Sequence, residues 1–467
     1  MKNINIKAFL KNRIIGNILI LVTSIALIYM SISIYFVNHF FFGTKINGVN
    51  VSLKSHKEAG SIILEEVKDY KLELIGRDGS VEEIKGNDID IKYNENNIIL
   101  KVKEVKEKQN SLKWILGLIA RQEYYGSELV VYNQDLLEDK IKNLEILNKN
   151  ITEPQNVSFK YLDGTYEIVE EVYGNKINID KLNENIKLSI SEGKRVLNLN
   201  DSFCYEDPKY TINSDKTIET QNTLNKYVST KITYTFGSKS EVLDGSKINE
   251  WASVDDDLEA SIDENKVKDY ILDLCEKYNT AGTTRKFKSA TGKIVDVKGG
   301  HYGWKINSVA ETKLLMENIK LGAVLEKEPA YTQKALYRDE NDIGNTYVEV
   351  NITRQHVWFY KDGKLITQGD VVTGDPGKGH STQLGTYMLN YKQKEATLRG
   401  NNYEAKVVYW MPFNGNIGIH DASWRYSFGG NIYKNNGTHG CVNSPSYLAK
   451  TIFENIEPGT PIICYEE

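Results

Sequence analysis

The chain is poor in cysteine and proline, with four Cys and eight Pro among 467 residues. Four thiols (Cys204, Cys275, Cys441, Cys464) are too few for a disulfide-stapled scaffold, although a single Cys204–Cys275 bridge stays open. No sign of charge dominates: 58 Lys and Arg stand against 63 Asp and Glu, a net −5. A phosphate-backbone binder usually carries a basic stripe, so nucleic acid is not expected as a partner. Hydrophobic residues at 40% and charged residues at 26% are ordinary for folded protein. A chain this long is expected to form about three or four domains, each with its own core.

The longest gap is in charge itself. No Asp, Glu, Lys or Arg occurs from Ile14 to Phe42, a run of 29 residues. At about 1.5 Å per residue, a helix of that length exceeds a hydrocarbon layer of roughly 30 Å. Lys2, Lys7, Lys11 and Arg13 precede it, which orients the N-terminus to the cytoplasm. Tyr35, Phe36, Phe40, Phe41 and Phe42 are expected at the outer interface. The apolar core of a cleaved signal peptide is usually about 7–15 residues and ends at small residues. The edge Asn38-His39-Phe40-Phe41-Phe42 offers none, so residues 1–44 are expected to be a cytoplasmic tail and a retained transmembrane anchor.

An internal repeat follows. Tyr173-Gly174-Asn175-Lys176-Ile177-Asn178 matches Tyr302-Gly303-Trp304-Lys305-Ile306-Asn307, and Phe159-Lys160 matches Phe287-Lys288. A helical pattern follows each hexapeptide, from Ile179 and from Val309, and a strand-like stretch precedes each, at Tyr70–Ile75 and Lys231–Phe236. Two α+β modules are expected, at 45–208 and 209–337. Ser55 and Glu58 form a capping box before a helix carrying Ile62, Ile63 and Val67. His56 and His301 stand alone, and the repeats show no catalytic constellation. The polar stretch Gln333–Asn345 marks a boundary.

Residues 346–467 read as mostly β. Strands are expected at Tyr347–Ile352, His356–Tyr360, Leu365–Val372, Gly385–Tyr391, Ala405–Trp410 and Pro461–Tyr465, with a type I′ hairpin turn at Asp362-Gly363. A short helix is expected over Pro445–Ile456, with Ser444 as N-cap.

The chemistry sits in Ile419-His420-Asp421-Ala422-Ser423-Trp424 and Gly437-Thr438-His439-Gly440-Cys441-Val442-Asn443. His420 ends an apolar stretch, and Cys441 lies in a loop of Gly, His and Asn rather than in an apolar strand like that of Cys464. A thiol of ordinary pKa, about 8.5, is mostly protonated at neutral pH. A helix N-terminus and a nearby imidazolium are expected to lower it. Cys441 is then the nucleophile and His420 its base. Gly440 permits an unusual backbone, and the amides of Cys441 and Gly440 are expected to form an oxyanion hole.

These residues resemble the L,D-transpeptidase family, whose motif is a His followed, after a spacer, by Ser/Thr-His-Gly-Cys, an apolar residue and Arg or Asn. The resemblance covers about residues 346–467; Val372-Thr373-Gly374 and Gly385-Thr386-Tyr387 also look like the family's approach to its site. Gln383 stands where many members have Pro, and Asn443 takes the place of Arg. The resemblance implies a mostly β catalytic domain that needs no metal or organic cofactor. It implies donor and acceptor peptidoglycan stem peptides as partners, a thioester on Cys441 with release of D-Ala, 3→3 cross-links, and acylation by carbapenems. It implies supporting roles for Thr438 and His439, with Asp421, Trp424 and Asn443 against the substrate. The paired modules are similar to peptidoglycan-binding modules that precede such domains.

Other readings fit less well. A zinc site from His420, His439 and Cys441 lacks the usual paired spacing. A sortase needs an Arg soon after its Cys, and none occurs from Val442 to Glu467. Papain-like enzymes place Cys before His. Gly374-Asp375-Pro376-Gly377-Lys378-Gly379 lacks the first Gly and the Ser/Thr of a phosphate loop and reads as a surface loop. A wall-binding protein with an inactive last domain is the non-enzymatic rival.

Overall fold

A computed structural model describes residues 6–66, 69–126, 129–338, 341–400 and 403–467. Lys2 and Val67 lie outside the described residues, as do the side chains of Lys7, Lys11 and Arg13. The chain forms two compact units: Met1–Ser158 with Val169–Ser214, and Phe159–Ile168 with Asp215–Glu467.

The first unit opens on one apolar helix, Ile6–Asn38. Its window Ile15–Asn38 has mean hydropathy 2.3 and is 6% buried, long and apolar enough to cross a membrane. The helix carries Tyr35 and Phe36 and ends before Phe40, Phe41 and Phe42. Phe40 turns into a core with Ile46, Val51 and Ile98, while Phe36 and Phe41 pack on Trp114. The expectation that all five aromatics lie at a lipid interface is therefore corrected: burying Phe36, Phe40 and Phe41 docks the helix onto the module behind it. The capping box forms, with Ser55 N–H donating to Glu58 at 2.9 Å and Glu58 N–H to Ser55 Oγ at 3.3 Å.

The two repeats share a topology. In the first unit, Lys71–Ile75 pairs antiparallel with Val81–Lys85 and parallel with Val196–Asn198. In the second, Lys231–Phe236 pairs antiparallel with Lys239–Leu243 and parallel with Val324–Lys327. Each hexapeptide ends in the N-cap of a long helix: Asn178 caps Ile179–Ser191 and Asn307 caps Ser308–Leu321. The Ile before each Asn, Ile177 or Ile306, is buried in its module's core. The repeated residues thus close a loop and start a helix, which explains their recurrence without any chemistry. All four cysteines are free thiols.

Residues 346–467 form two sheets around one core. A five-stranded sheet runs Lys364–Asp370, His356–Lys361, Tyr347–Asn351, Pro461–Tyr465, Gly385–Met388. A four-stranded sheet runs Gln393–Gly400, Tyr403–Asn414, Ile417–Asp421, Val442–Ser444. Alternation puts Val348, Val350, Phe359, Met411, Ile419 and Val442 inside, where Leu448 and Ile452 of the helix Ser446–Asn455 join them. Asp362 and Gly363 take positive φ, as their hairpin turn requires.

Within the second unit this domain is fastened to the second repeat. Arg285 grips Asp342 through two bonds of 2.8 and 2.7 Å, both side chains buried. Gly300 bridges to Thr386, and Ala290 N–H donates to the buried Glu349 at 2.9 Å. Asp342, in the stretch read as a polar boundary, is therefore a buried anchor point. His301 is held as well, 3.1 Å from the Phe413 carbonyl oxygen.

Candidate active site

The strands Ile417–Asp421 and Val442–Ser444 run parallel, with Ile419 opposite Val442 and His420 opposite Asn443. Successive strand residues face opposite sides. Ile419 and Val442 therefore share the core face, while His420, Asn443 and Cys441, one residue before Val442, share the other. That second face opens into a cleft of about 520 Å³ lined by His420, Trp424, Arg425, Thr438, Cys441 and Asn443, among others. The loop between the two strands only has to return the chain, so two residues remote in sequence come to line one cleft by register.

His420 is buried, and its Nδ1 lies 2.9 Å from the Asp421 carbonyl oxygen. A carbonyl only accepts, so Nδ1 carries the proton and the Nε2 lone pair is left as the acceptor. Burial pushes the imidazole pKa below its usual value, against the raising effect of the Asp421 carbonyl. The ring is flanked by Trp410 at 5.8 Å and Trp424 at 6.0 Å between centroids.

Cys441 departs from expectation. Strand Val442–Ser444 follows it, and the next helix begins only at Ser446, with Pro445 rather than Ser444 at the cap position. The helix that follows Cys441 in sequence is thus separated from it by a strand, not joined to it directly as expected. The thiol is 7% exposed, and burial pushes its pKa up to about 11, opposed by the Gly418 amide. The thiol donates to the Asn416 carbonyl at 3.6 Å and, held neutral by desolvation, is not the ionised thiolate expected.

Gly440 takes φ +116°, and a Cβ there would lie 3.0 Å from Ile417 Cδ1. Its N–H donates to Thr438 Oγ1 at 3.0 Å, and the Thr438 hydroxyl donates to the Cys441 carbonyl at 2.6 Å. The Gly440 amide is thus committed to Thr438. Of the two expected oxyanion donors only that of Cys441 stays a candidate. Thr382 donates to the Gly440 carbonyl at 2.7 Å, and the Gly374 amide donates to Thr382 at 3.0 Å. The stretch read as a surface loop is therefore in part a wall behind Cys441, with Asp375 buried.

The remaining expected residues divide. Trp424, Asn443, Thr438 and His439 line the cleft, and the His439 ring packs on His380 at 4.6 Å. Asp421 does not reach it: its buried carboxylate accepts from the Val408 and Tyr409 amides, both at 2.8 Å, and holds the neighbouring strand. Sequence reasoning missed Arg425, two bonds of whose guanidinium go to the Asn436 and Gly437 carbonyls while Nε is buried without a partner. It also missed the wall made by Leu398, Glu404, Ala405 and Lys406 of the paired strands Gln393–Gly400 and Tyr403–Asn414. Arg425 follows Trp424 directly, a signal that was available. The wall had none, since a strand's neighbours depend on folding.

Comparison with known proteins gives the family. The family model for an L,D-transpeptidase catalytic domain matches residues 345–464, and a domain described as peptidoglycan binding matches residues 82–198 and 210–324. No curated protein matches the chain. Among solved structures, an Enterococcus faecium L,D-transpeptidase carrying a Cys-to-Ser substitution is 35% identical, with 53% of this chain and 100% of that one covered and a TM-score of 0.45. The avibactam carbamoyl enzyme of Ldtfm is 34% identical, covering 54% and 99%, with a TM-score of 0.46. The E. faecium catalytic domain acylated by ertapenem is 40% identical over 26% of this chain and 97% of that one, with a TM-score of 0.25.

Proposed function

This chain belongs to the L,D-transpeptidase family, and on that premise we propose that it cross-links peptidoglycan through a thioester on Cys441. The observation that carries the reading is the strand register that sets His420 and Cys441 on one face of one cleft. His420 Nε2 takes the thiol proton as sulfur attacks the donor stem's scissile carbonyl. Coupling transfer to attack suits a thiol held neutral by burial, because charge separates only once substrate has displaced water. The tetrahedral oxygen faces the Cys441 amide. The imidazolium then protonates the leaving amine, D-Ala departs, and the acyl group stays on sulfur. An acceptor side-chain amine attacks the thioester, gives its proton to His420, and the thiol re-forms with the 3→3 link. Arg425 and Lys406 supply cations for the carboxylates of the stem peptides.

The apolar helix spans the membrane with its N-terminus inside, and the two modules hold the wall while the last domain works outside the cell. The length and hydropathy of the apolar helix support this placement. The test is mass spectrometry of the full chain with a carbapenem, together with muropeptide analysis on disaccharide tetrapeptides. An adduct on the parent but not on Cys441→Ala, with 3→3 dimers, supports the reading. An unmodified parent and untouched muropeptides would favour the inactive wall-binding protein. Trimmed tripeptides or exchanged terminal residues in place of dimers would move the activity to hydrolysis or exchange.

A further inference from the structure

We propose that residues 111–120 form a membrane-inserted foot beside the anchor helix. Within Ser111–Ala120 the only charge is on Lys113, yet Leu112, Ile115, Leu116, Leu118 and Ile119 are exposed, by 52, 45, 48, 57 and 79%. Five large apolar side chains uncovered within eight residues are unusual for a surface facing water.

The segment is not a loose loop. The Tyr29 hydroxyl donates to the Leu112 carbonyl. Trp114 is buried and stacks on Phe36 at 5.9 Å and 17°, with the Tyr29 ring 5.5 Å away. Tyr29, Ile32 and Phe36 form one face of the helix, and that face receives the segment. A Cβ on Gly117 would lie 2.8 Å from Phe41 Cβ, so the backbone sits directly on the aromatic cluster. Gln109, at the head of the segment, is buried and accepts from the Phe41 amide at 3.0 Å.

Depth identifies the occupant. This step rests on the reading that the helix spans the membrane. With Arg13 at the inner boundary, about 20 residues at 1.5 Å each reach the outer boundary of a 30 Å hydrocarbon layer, near Ser33. Tyr29 lies short of that point, and helical side chains tilt toward the N-terminus. The carbonyl bonded to Tyr29, and the apolar residues after it, therefore stand at the outer edge of the hydrocarbon. Acyl chains and headgroups of the outer leaflet cover the exposed face, and Lys113 extends its amine toward the phosphates. The foot fixes the first module against the bilayer instead of letting it swing on a single helix.

The test uses the full chain with Cys275→Ser and Cys441→Ala, so that no part-exposed thiol competes for label, reconstituted into phosphatidylcholine–phosphatidylglycerol vesicles. An environment-sensitive fluorophore is placed on Ile119→Cys, on Ile25→Cys as a mid-bilayer reference, or on Leu188→Cys as a water-exposed reference. All three positions are exposed, so labelling leaves the packing intact. Label at 119 is expected to lose about half its emission to a nitroxide at acyl carbon 5 and less to one at carbon 12. Label at 25 should show the reverse order, and label at 188 neither. Quenching at 25 without quenching at 119 overturns the foot and leaves the anchor standing. No quenching at either position overturns both.

Discussion

The protonation state of Cys441 makes the sharpest prediction. The thiol is 7% exposed and its pKa stands at about 11. At pH 7.5 the thiolate fraction is then about 0.03%, against about 10% for an ordinary thiol near 8.5. Higher basicity makes each thiolate more nucleophilic by about ten-fold over that interval. Alkylation of Cys441 by iodoacetamide in the resting protein should therefore run about twenty-fold or more below a free cysteine at pH 7.5, and should rise about ten-fold per pH unit up to pH 10. Peptide mass spectrometry after timed quenching measures it site by site. The same experiment on His420→Gln separates resting state from catalysis. Alkylation should change little, because a neutral thiol owes nothing to the imidazole. Carbapenem acylation should fall about 10²–10⁴-fold, because the base is gone. Burial depresses the His420 pKa, so acylation by the parent should hold level as pH falls through 6.5 and decline only below. An alkylation plateau between pH 6 and 7 that vanishes in His420→Gln would mean a resting thiolate–imidazolium pair and would refute the reasoning.

Gly440→Ala forces a side chain into φ +116° and against Ile417, and should cost about 2–4 kcal/mol in thermal or denaturant unfolding; an unchanged midpoint would show that the loop adapts. Asp421→Ala leaves the Val408 and Tyr409 amides without their acceptor and should destabilise by about 2–4 kcal/mol while the folded fraction keeps its carbapenem acylation rate; loss of acylation with full stability would return Asp421 to the substrate. Arg285→Met strands the buried Asp342 carboxylate and should cost about 3–5 kcal/mol, read by urea unfolding; a change under 1 kcal/mol would mean the pair does not fasten the catalytic domain to the second repeat. Trp424→Ala opens the cleft beside His420 and should weaken donor binding, raising KM more than it lowers kcat in an assay of D-Ala release; an equal fall in both would place the ring in the transition state instead.

Much of the site was legible because short-range chemistry wrote it. His420, Thr438, Gly440 and Cys441 are recognisable by type and spacing, and each hexapeptide announces the helix that follows it, whose periodicity is local, while the Asn caps that start those helices emerged only in the structure. Strands with alternating residues were equally plain, Tyr347–Asn351 and His356–Lys361 among them. The failures share a cause. Phe36, Phe40 and Phe41 read as interfacial because the segments that cover them, Val49–Val51 and Asn94–Trp114, lie at least several residues further on. Asp421 read as a cleft residue because the amides it caps belong to a strand twelve residues upstream.

What the sequence by itself determined is the choice of candidate reacting atoms and the succession of modules, since both follow from residue type, spacing and periodicity along the chain. What only the tertiary structure decided is the state of those atoms: a thiol and an imidazole both neutral, a Gly440 amide given over to Thr438, and a helix seated against a module rather than free of it. Protonation and hydrogen-bond allegiance depend on how much water is excluded and which distant groups arrive first, and those quantities exist only once the chain has packed.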